Sequence, residues 1–599
     1  MRILFDSRKT EYKRPFGCLR PGELCCLQVE IPDTAAAIGA ECVICYADGK
    51  EAYRVPMFPG KREGAYCSYT GMFSLEFPNL YFYYFYIRKA DGGFRLFKQG
   101  NGTNMEAGDL WQVSCIPADF TTPDWAKGAV IYQVFPDRFY KAGECDLTGK
   151  LEPYTIHKAW DEEVHWQPTE QGEVLNNDFY GGNFRGITEK MDYIASLGVS
   201  ILYLNPIGKS FSSHRYDTGD YKEPDPMLGT LEDFKAMCDA AHSRGIKIIL
   251  DGVYSHTGAN SRYFDKYGTF GGEGAYCSKE SPYYSWFRFR EYPDKYDCWW
   301  DFDTLPTVNK LDPAFVEYII TGEASVLAHW LSWGADGFRL DVVDELPNEF
   351  VELLKRHLRK LKPDALLIGE VWEDASNKIA YGIRRRYFTK GVLDSVMNYP
   401  WQKAMLKFFR GEDEGNALAE AVMTLQENYP VQVLNCNMNL LGTHDTPRIL
   451  TALVDDFDGT REELSRRFLT EEQKALAIQR LKLASVLQYA LPGCPSIYYG
   501  DEAGVEGHKD PFNRRTYPWG QENEELLTHY RYLGGLRKRY EALRLGEISF
   551  FHSCDGRLGI TRKTKTQTLT IYINHNATPW ELPERNLTVA PMGWAFLEG

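Results

Sequence analysis

The sequence of 599 residues lacks any apolar run approaching the roughly 18 residues that a membrane-spanning helix needs. It also lacks a basic run, and its formal net charge is −15, so nucleic acid and anionic membranes are poor partners. The first twenty residues carry scattered charges and no apolar segment typical of a secretory signal. We therefore expect a cytoplasmic protein that binds neither membrane nor nucleic acid.

The 14 cysteines and 12 histidines do not occur at the spacings of a metal site or a disulfide framework. Cys42 and Cys45 form a single C-x-x-C pair, which we interpret as buried strand residues. We expect no metal ligands and no required cofactor. Aromatic residues are abundant, at 14%, which favours a surface that stacks on flat ligands.

The chain changes pattern along its length, which predicts a multidomain α/β protein. Residues 1–120 alternate in short apolar segments separated by Pro, Gly and Asp, as in an antiparallel β-sandwich. Residues 121–545 contain eight short apolar runs alternating with amphipathic stretches that end in Gly, which predicts a central (β/α)₈ barrel. Residues 546–599 return to alternation and predict a C-terminal antiparallel β-sandwich.

One connection inside the predicted barrel is too long for an ordinary loop. Residues 257–313, after the third strand, are dense in Tyr, Trp and Gly, and we interpret them as a small inserted domain.

Polar residues follow several of the predicted barrel strands. Because active sites lie at the carboxyl ends of barrel strands, these residues should converge. They are Asp251 and His256 for strand three, Arg339 and Asp341 for strand four, Glu370 for strand five, and His444 and Asp445 for strand seven. An Arg–Asp pair alone fits a structural ion pair equally well, but so many polar groups on one rim favour a ligand site.

Asp341 and Glu370 are 29 residues apart, about one strand–helix–strand repeat. They should therefore lie at equal height on neighbouring strands about 4.8 Å apart, near the separation of about 5–5.5 Å in a retaining glycosidase. Arg339 would keep Asp341 ionised by lowering its pKa, and the apolar neighbours of Glu370 would raise the pKa of that acid.

The order of motifs resembles the α-amylase superfamily, glycoside hydrolase family 13, along essentially the whole chain. "DGVYSH", "GFRLDVVDE", "GEVW" and "LLGTHDTPR" are similar to its four conserved regions, and "VIYQVFPDRF" and "LPTVN" are similar to the neopullulanase, cyclomaltodextrinase and maltogenic amylase group. In that group a starch-binding-like module precedes the barrel, and it often contributes to a homodimer.

The resemblance implies roles for twelve residues. Asp341 would be the nucleophile, Glu370 the general acid and base, and Asp445 the transition-state stabiliser. The implied substrate-binding residues around them are His214, Tyr216, Asp251, His256, Arg339, Glu345, Trp372, His444 and Arg448. Among these, Asp251 would brace Arg339, Tyr216 would form an aromatic platform, and Glu345 would reach the leaving-group subsites. Core packing is the competing interpretation for Tyr216 and for Trp372.

Three positions depart from the calcium-binding pattern of the family: Lys141, Asn183 and Ser255. A cation is electrostatically disfavoured beside Lys141, because calcium takes six or more oxygen ligands with net negative charge. We therefore expect structural calcium to be weak or absent at this loop.

The resemblance implies retaining hydrolysis of α-1,4 links in maltooligosaccharides, cyclodextrins, pullulan or starch, with an α-glucan oligosaccharide as partner. A transglycosylase or an α-1,6-active variant is the alternative among enzymes. A non-catalytic glucan-binding protein is the alternative of another class, but all three predicted catalytic residues are present. A homodimer through the N-terminal module is expected by analogy alone.

Overall fold

Eight parallel strands form a barrel in the computed structural model, which describes residues 2–599. Consecutive strands pair in chain order, the eighth pairs with the first, and a bridge between Met397 and Met438 joins the sixth to the seventh. We label these strands β1 to β8 in chain order: Ile131–Val134, Ile201–Leu204, Lys247–Gly252, Gly337–Leu340, Leu366–Gly369, Ser395–Val396, Met438–Leu440 and Cys494–Tyr498. The predicted (β/α)₈ barrel is therefore confirmed.

Helices alternate with the barrel strands, and several of them begin at a capping side chain. Thr230 and Thr470 each form a capping box, in which the Thr side chain accepts from the backbone N–H three residues on. The helices are Phe184–Glu189, Met191–Ser196, Leu231–His242, Pro313–Val316, Val326–Trp333, Asn348–Leu361, Tyr399–Arg410, Ile449–Ala452, Arg461–Ser465, Glu471–Ala490, Glu524–Arg539 and Glu541–Leu545.

One predicted amphipathic stretch is not a single helix. Residues 317–334 form a π-helical turn, Glu317–Thr321, and then the helix Val326–Trp333. Gly322 has extended backbone between them, and glycine is a weak helix former, which explains the break.

The stretch between β3 and β4 holds small hairpins around its own aromatic cluster. Phe289–Glu291 pairs with Lys295–Tyr296, and Cys298–Trp299 pairs with Phe302–Pro306. Tyr263 stacks on Trp286 with ring centroids 5.1 Å apart. This cluster explains part of the aromatic richness of residues 257–313, whose status as a separate domain stays a prediction.

By their internal contacts the described residues form two compact units. The first unit comprises residues 2–121, 373–393 and 416–434. It contains a nine-stranded antiparallel sheet, and the long strand Glu51–Glu63 pairs with one neighbour through its first half and another through its second. Its other strands are Lys13–Arg14, Leu24–Pro32, Gly39–Tyr46, Tyr66–Ser74, Asn79–Lys89, Gly92–Gln99, Gly102–Asn104 and Trp111–Cys115, and its helices are Asn416–Asn428 and Val431–Leu434.

The second unit holds the barrel and the C-terminal strands. A four-stranded antiparallel sheet is built from Glu547–Cys554, Arg557–Lys563, Thr568–Asn574 and Gly593–Glu598, and the hairpin Trp580–Leu582 with Leu587–Val589 packs beside it. The predicted N-terminal and C-terminal antiparallel β-structures are confirmed, whereas the exact domain boundaries stay predictions. Within residues 2–599, the helices are too short or too polar to cross a membrane.

Candidate active site

Strands β3, β4 and β5 bring three carboxyl groups and one guanidinium to the same end of the barrel. Asp251 on β3 lies in register with Arg339 on β4, and Leu340 lies in register with Gly369 on β5. The residues that follow Leu340 and Gly369 are Asp341 and Glu370. The register therefore places all four polar side chains at similar height at the carboxyl ends of the strands.

Arg339 is the centre of this arrangement and is fully buried. Its Nη1 donates to Asp251 Oδ1 and to Asp341 Oδ1, each at 2.8 Å. Its Nη2 lies 2.8 Å from Glu370 Oε2 as an ion pair without a well-aligned hydrogen bond. Asp341 and Glu370 thus contact the two terminal nitrogens of one guanidinium, which keeps the two carboxyl groups close together, as predicted.

Three buried carboxyl groups share a single positive charge, so all three cannot be ionised without a strongly unfavourable buried negative charge. Burial raises the pKa of Asp341 well above its usual value, and Arg339 opposes this while Glu370 adds to it. Burial likewise raises the pKa of Asp251. Arg339 lowers the pKa of Asp341, as expected, but burial outweighs this single cation, so the expected net lowering of the pKa is not found.

Glu370 has polar partners where only apolar neighbours were expected. Its Oε2 accepts from the backbone N–H of Val342 at 2.7 Å, and its Oε1 accepts from Trp372 Nε1 at 3.0 Å. The Trp372 ring stacks on Tyr399 with centroids 3.8 Å apart. Trp372 thus orients Glu370 through its N–H while its ring packs in the barrel wall.

The backbone is strained directly after Asp341. Val342 has φ of +36°, a conformation that β-branched residues rarely adopt. This conformation directs the Val342 N–H onto Glu370. A strained residue that couples the two central carboxyl positions is typical of a functional site.

His444 and Tyr216 form a parallel aromatic pair beside the carboxyl groups, with ring centroids 5.4 Å apart. The Tyr216 hydroxyl donates to Asp251 Oδ2 at 2.8 Å and contacts His444 Nε2. Gln133 Nε2 donates to His444 Nδ1 at 2.9 Å, which assigns the imidazole hydrogen to Nε2. Burial lowers the pKa of His444, which favours the neutral ring.

Asp445 lies at the edge of this pair. Its Oδ2 is 3.1 Å from His444 Nε2, and its Oδ1 is 3.7 Å from Arg514 Nη2. Burial, together with the nearby Glu370, raises the pKa of Asp445 to about 7. Of the three predicted catalytic residues it has the most exposed side chain, 30% against 10% and 5% for Asp341 and Glu370.

The two other predicted histidines also lie beside Tyr216. His256 Nε2 donates to the Tyr216 carbonyl at 3.1 Å, and burial lowers its pKa to about 3. His214 Nδ1 accepts from the Tyr216 N–H at 3.1 Å. These contacts fix the backbone of Tyr216 from both sides and position its ring.

Two predicted substrate-binding residues have other contacts. Arg448 is fully buried, and its Nη1 donates to Asp501 Oδ1 at 3.2 Å. Glu345 accepts hydrogen bonds from the indoles of Trp299 and Trp300 in the inserted stretch. Contact of Arg448 and Glu345 with substrate stays a prediction.

Sequence reasoning did not single out several residues that complete the site. Asn205 Nδ2 donates to the Tyr216 hydroxyl at 3.1 Å, and Tyr203 donates to Asp251 Oδ2 at 2.8 Å. Tyr203 in β2 and Asn205 just after it point to the same side, because side chains alternate along a strand. The signal available in the sequence was a polar side chain in an otherwise apolar run, and Gln133 in β1 carries the same signal.

The loop expected to disfavour calcium has internal partners for its polar groups. Lys141 Nζ pairs with Glu144 at 3.1 Å. Asn183 Oδ1 accepts from the Gly186 N–H, and its Nδ2 donates to the Ala142 carbonyl. Among residues 2–599 there is no cluster of three His, Cys, Asp or Glu side chains suited to a metal ion. Weak or absent calcium binding stays a prediction.

A (β/α)₈ barrel whose strand ends carry buried, converging carboxyl groups and an aromatic platform has the architecture of a barrel glycosidase. Residues 133–530 match the profile described as alpha amylase, catalytic domain. The chain belongs to the α-amylase family, as the motifs predicted. Hydrolases of this family need no organic cofactor.

Individual relatives agree with this membership. An amylopullulanase of Thermoanaerobacter thermohydrosulfuricus is 34% identical over 92% of this chain and 40% of that protein. A cyclomaltodextrinase of Geobacillus thermopakistaniensis is 33% identical over 78% of this chain and 71% of that protein. The chain spans less than half the length of the amylopullulanases that it matches.

A solved structure extends the similarity to the whole fold. The type III pullulan hydrolase from Thermococcus kodakarensis is similar with a TM-score of 0.69 and 27% identity, and all of both chains is covered. The N-terminal and C-terminal β-structures are therefore part of the shared architecture.

Proposed function

We propose that this chain is a retaining glycosidase that cleaves α-1,4-glucosidic bonds in maltooligosaccharides, cyclodextrins, pullulan or starch. The observation that carries the proposal is the contact of Asp251, Asp341 and Glu370 with the single guanidinium of Arg339. Three carboxyl groups on one cation store a proton, and a retaining glycosidase needs one ionised and one protonated carboxyl group.

In the first step the proton stored by the three carboxyl groups lies on Glu370 and Asp341 is ionised, so Asp341 attacks the anomeric carbon, and a carboxyl–carbon bond forms as the glycosidic bond breaks. Glu370 gives its proton to the departing oxygen, so the leaving sugar departs as an alcohol. In the second step Glu370 removes a proton from water, the water oxygen bonds to the anomeric carbon, and Asp341 is released. Trp372 and Val342, which donate to Glu370, keep its carboxyl group aimed through both steps.

Tyr216 and Asp445 hold the sugar ring that reacts. The Tyr216 ring, fixed by His214 and His256, offers a flat apolar face to the C–H face of a glucose unit. Asp445 and the neutral His444 accept and donate hydrogen bonds to sugar hydroxyl groups at the edge of this platform. Hydrogen bonds that strengthen as the ring flattens lower the barrier to cleavage.

Activity on pullulan is favoured by the relatives, since two of them are named amylopullulanase and pullulan hydrolase. Transfer to a sugar acceptor and cleavage of α-1,6 links are the alternatives. Product analysis distinguishes them: hydrolysis of pullulan at α-1,4 links leaves α-1,6 links in the products, whereas α-1,6 cleavage yields maltotriose, and transfer yields products longer than the substrate.

The proposal is tested by the change Asp341→Asn. Reducing-sugar release from β-cyclodextrin, pullulan and soluble starch should fall by about 10⁴-fold or more, because the nucleophile is removed. Asp344→Asn, three positions along the same turn, is the matched control and should retain most activity. Equal rates for wild type and Asp341→Asn would end the assignment.

We also propose a homodimer formed through the first unit. Leu24, Phe58 and Met72 on neighbouring strands of its sheet are exposed to 65%, 67% and 63%. Apolar side chains grouped on one sheet face favour burial against a second copy. Sedimentation should give a dimer, and Met72→Lys should give a monomer.

The cytoplasmic location stays a prediction, tested by cell fractionation.

A further inference from the structure

The hairpin that joins Cys298–Trp299 to Phe302–Pro306 presents an exposed indole in a strained turn. Trp299 pairs with Phe302, so Trp300 and Asp301 form a two-residue loop. Both have positive φ, +50° and +63°. Such a turn favours Asn–Gly, and Trp at its first position is disfavoured by the backbone. Backbone strain that is retained to display a large aromatic side chain points to a function for that side chain.

Glu345 holds this hairpin tip against the barrel. Its Oε2 accepts from Trp299 Nε1 at 2.9 Å, and its Oε1 accepts from Trp300 Nε1 at 3.1 Å. Both indoles are bound through their N–H edges, so these bonds leave the ring faces open. Trp300 is 72% exposed. An exposed aromatic ring whose edge is anchored is a preorganised stacking surface.

The tip is connected to the carboxylate site by a row of rings. The Trp299 ring lies 5.3 Å from His256, which contacts the platform residue Tyr216. The Trp300 ring lies 5.8 Å from Trp299. The row therefore begins at a buried histidine of the site and ends at an exposed indole on its rim.

We propose that Trp300 is an outer stacking subsite for a glucose unit of a longer α-glucan, and that Glu345 is the positioning residue that fixes it. The proposal rests on the proposed function and adds a preference for chain length to it. A short oligosaccharide occupies the carboxylate centre alone, whereas a longer one also places a C–H face of a further unit on the indole.

The variant Trp300→Asn tests this. Asn is favoured at positive φ, so the turn should fold at least as well and the melting temperature should not fall. The kcat/KM for maltoheptaose should fall by about threefold to tenfold through KM, and that for maltotriose should be unchanged, because one stacking contact is lost. Trp300→Phe, which keeps a ring, should restore part of the preference.

Tyr267→Asn is the matched control, since Tyr267 is another aromatic residue of the inserted stretch and is 61% exposed. It should leave both kcat/KM values unchanged. An equal effect of Trp300→Asn on both substrates, or no effect on either, would overturn the subsite.

Calorimetric binding separates this inference from the proposed catalysis. Maltoheptaose is titrated into Asp341→Asn protein with and without Trp300→Asn, and Kd should rise about threefold to tenfold in the double variant. Inactive wild type with Trp300-dependent binding would overturn the proposed catalysis and support the subsite. Active wild type with Trp300-independent binding would overturn the subsite alone.

Discussion

The two ends of strand β4 carry buried charges of opposite balance. Just before the strand, one carboxyl group, Asp336, is surrounded by three basic side chains: Oδ2 is 2.7 Å from His242 Nε2, and Oδ1 is 2.7 Å from Lys362 Nζ and 3.2 Å from Lys247 Nζ. At the far end the ratio is reversed, since one guanidinium, Arg339, serves three carboxyl groups.

The pKa values follow this difference. Hydrogen bonds from His242 and Lys362 lower the pKa of Asp336, despite its burial. Burial raises the pKa of Asp341, only four residues from the start of the strand. In the cluster around Asp336 the carboxyl group has enough basic partners, which stabilises the fold. The cluster around Arg339 has more carboxyl groups than positive charges, so it gains from a ligand or a reaction that uses the extra carboxyl groups. The proposed chemistry thus lies at one end of the strand and the stabilising cluster lies at the other.

The largest loss of activity in this comparison is expected from a change of Glu370, which contacts Arg339 from the neighbouring strand. Glu370→Gln should lower kcat on maltooligosaccharides by about 10²- to 10⁴-fold, because the proposed proton donor is lost. The loss should be much smaller for glucosides with a good leaving group, and added azide should accelerate turnover. A uniform loss on all leaving groups would contradict a proton-donor role.

Stability should respond in opposite directions at the two ends of β4. Asp336→Asn should lower the free energy of unfolding by about 2 kcal/mol, because its basic partners lose their counter-charge. Asp341→Asn should leave it unchanged or raise it, because one of three carboxyl groups on Arg339 becomes neutral. Urea unfolding of both variants measures this, and a loss at Asp341 as large as at Asp336 would contradict the charge balance.

The effect of Asp445 on stability is tested through its dependence on pH. Its pKa is raised to about 7 in the folded chain and is ordinary when unfolded, so the folded state binds more protons between these values. Its contribution to stability is therefore present at low pH and is lost as pH rises through about 7. Asp445→Asn should flatten the pH dependence of unfolding between about pH 4 and 8 by about 2 kcal/mol, allowing for solvent screening. An unchanged profile would count against the shift.

The sequence predicted the parts of this protein that depend on local pattern. The eight barrel strands follow from apolar runs such as "IKIILDGV", and the polar residues at their ends follow from the geometry of a barrel. Asp341 and Glu370 could be placed at equal height because strand register is nearly fixed by one strand–helix–strand repeat.

Contacts between distant loops could not be predicted in this way. The bonds from Trp299 and Trp300 to Glu345 depend on where a hairpin tip lies, and no periodicity reports this. The same holds for residues 373–393 and 416–434, whose contacts group them with the N-terminal sheet. The direction of the Asp341 pKa shift was mispredicted because burial depends on the whole fold. The sequence shows only that Arg339 lies two positions before Asp341.

Trapping the reaction intermediate shows which carboxyl group is the nucleophile. Wild type or Glu370→Gln protein is treated with 5-fluoro-α-glucosyl fluoride, digested, and analysed by mass spectrometry for a peptide that carries one fluoroglucosyl group. The proposed mechanism predicts a single adduct, on the carboxyl group of Asp341. An adduct on Asp251 or Asp445, or release of product with inverted anomeric configuration and no adduct, would contradict the account.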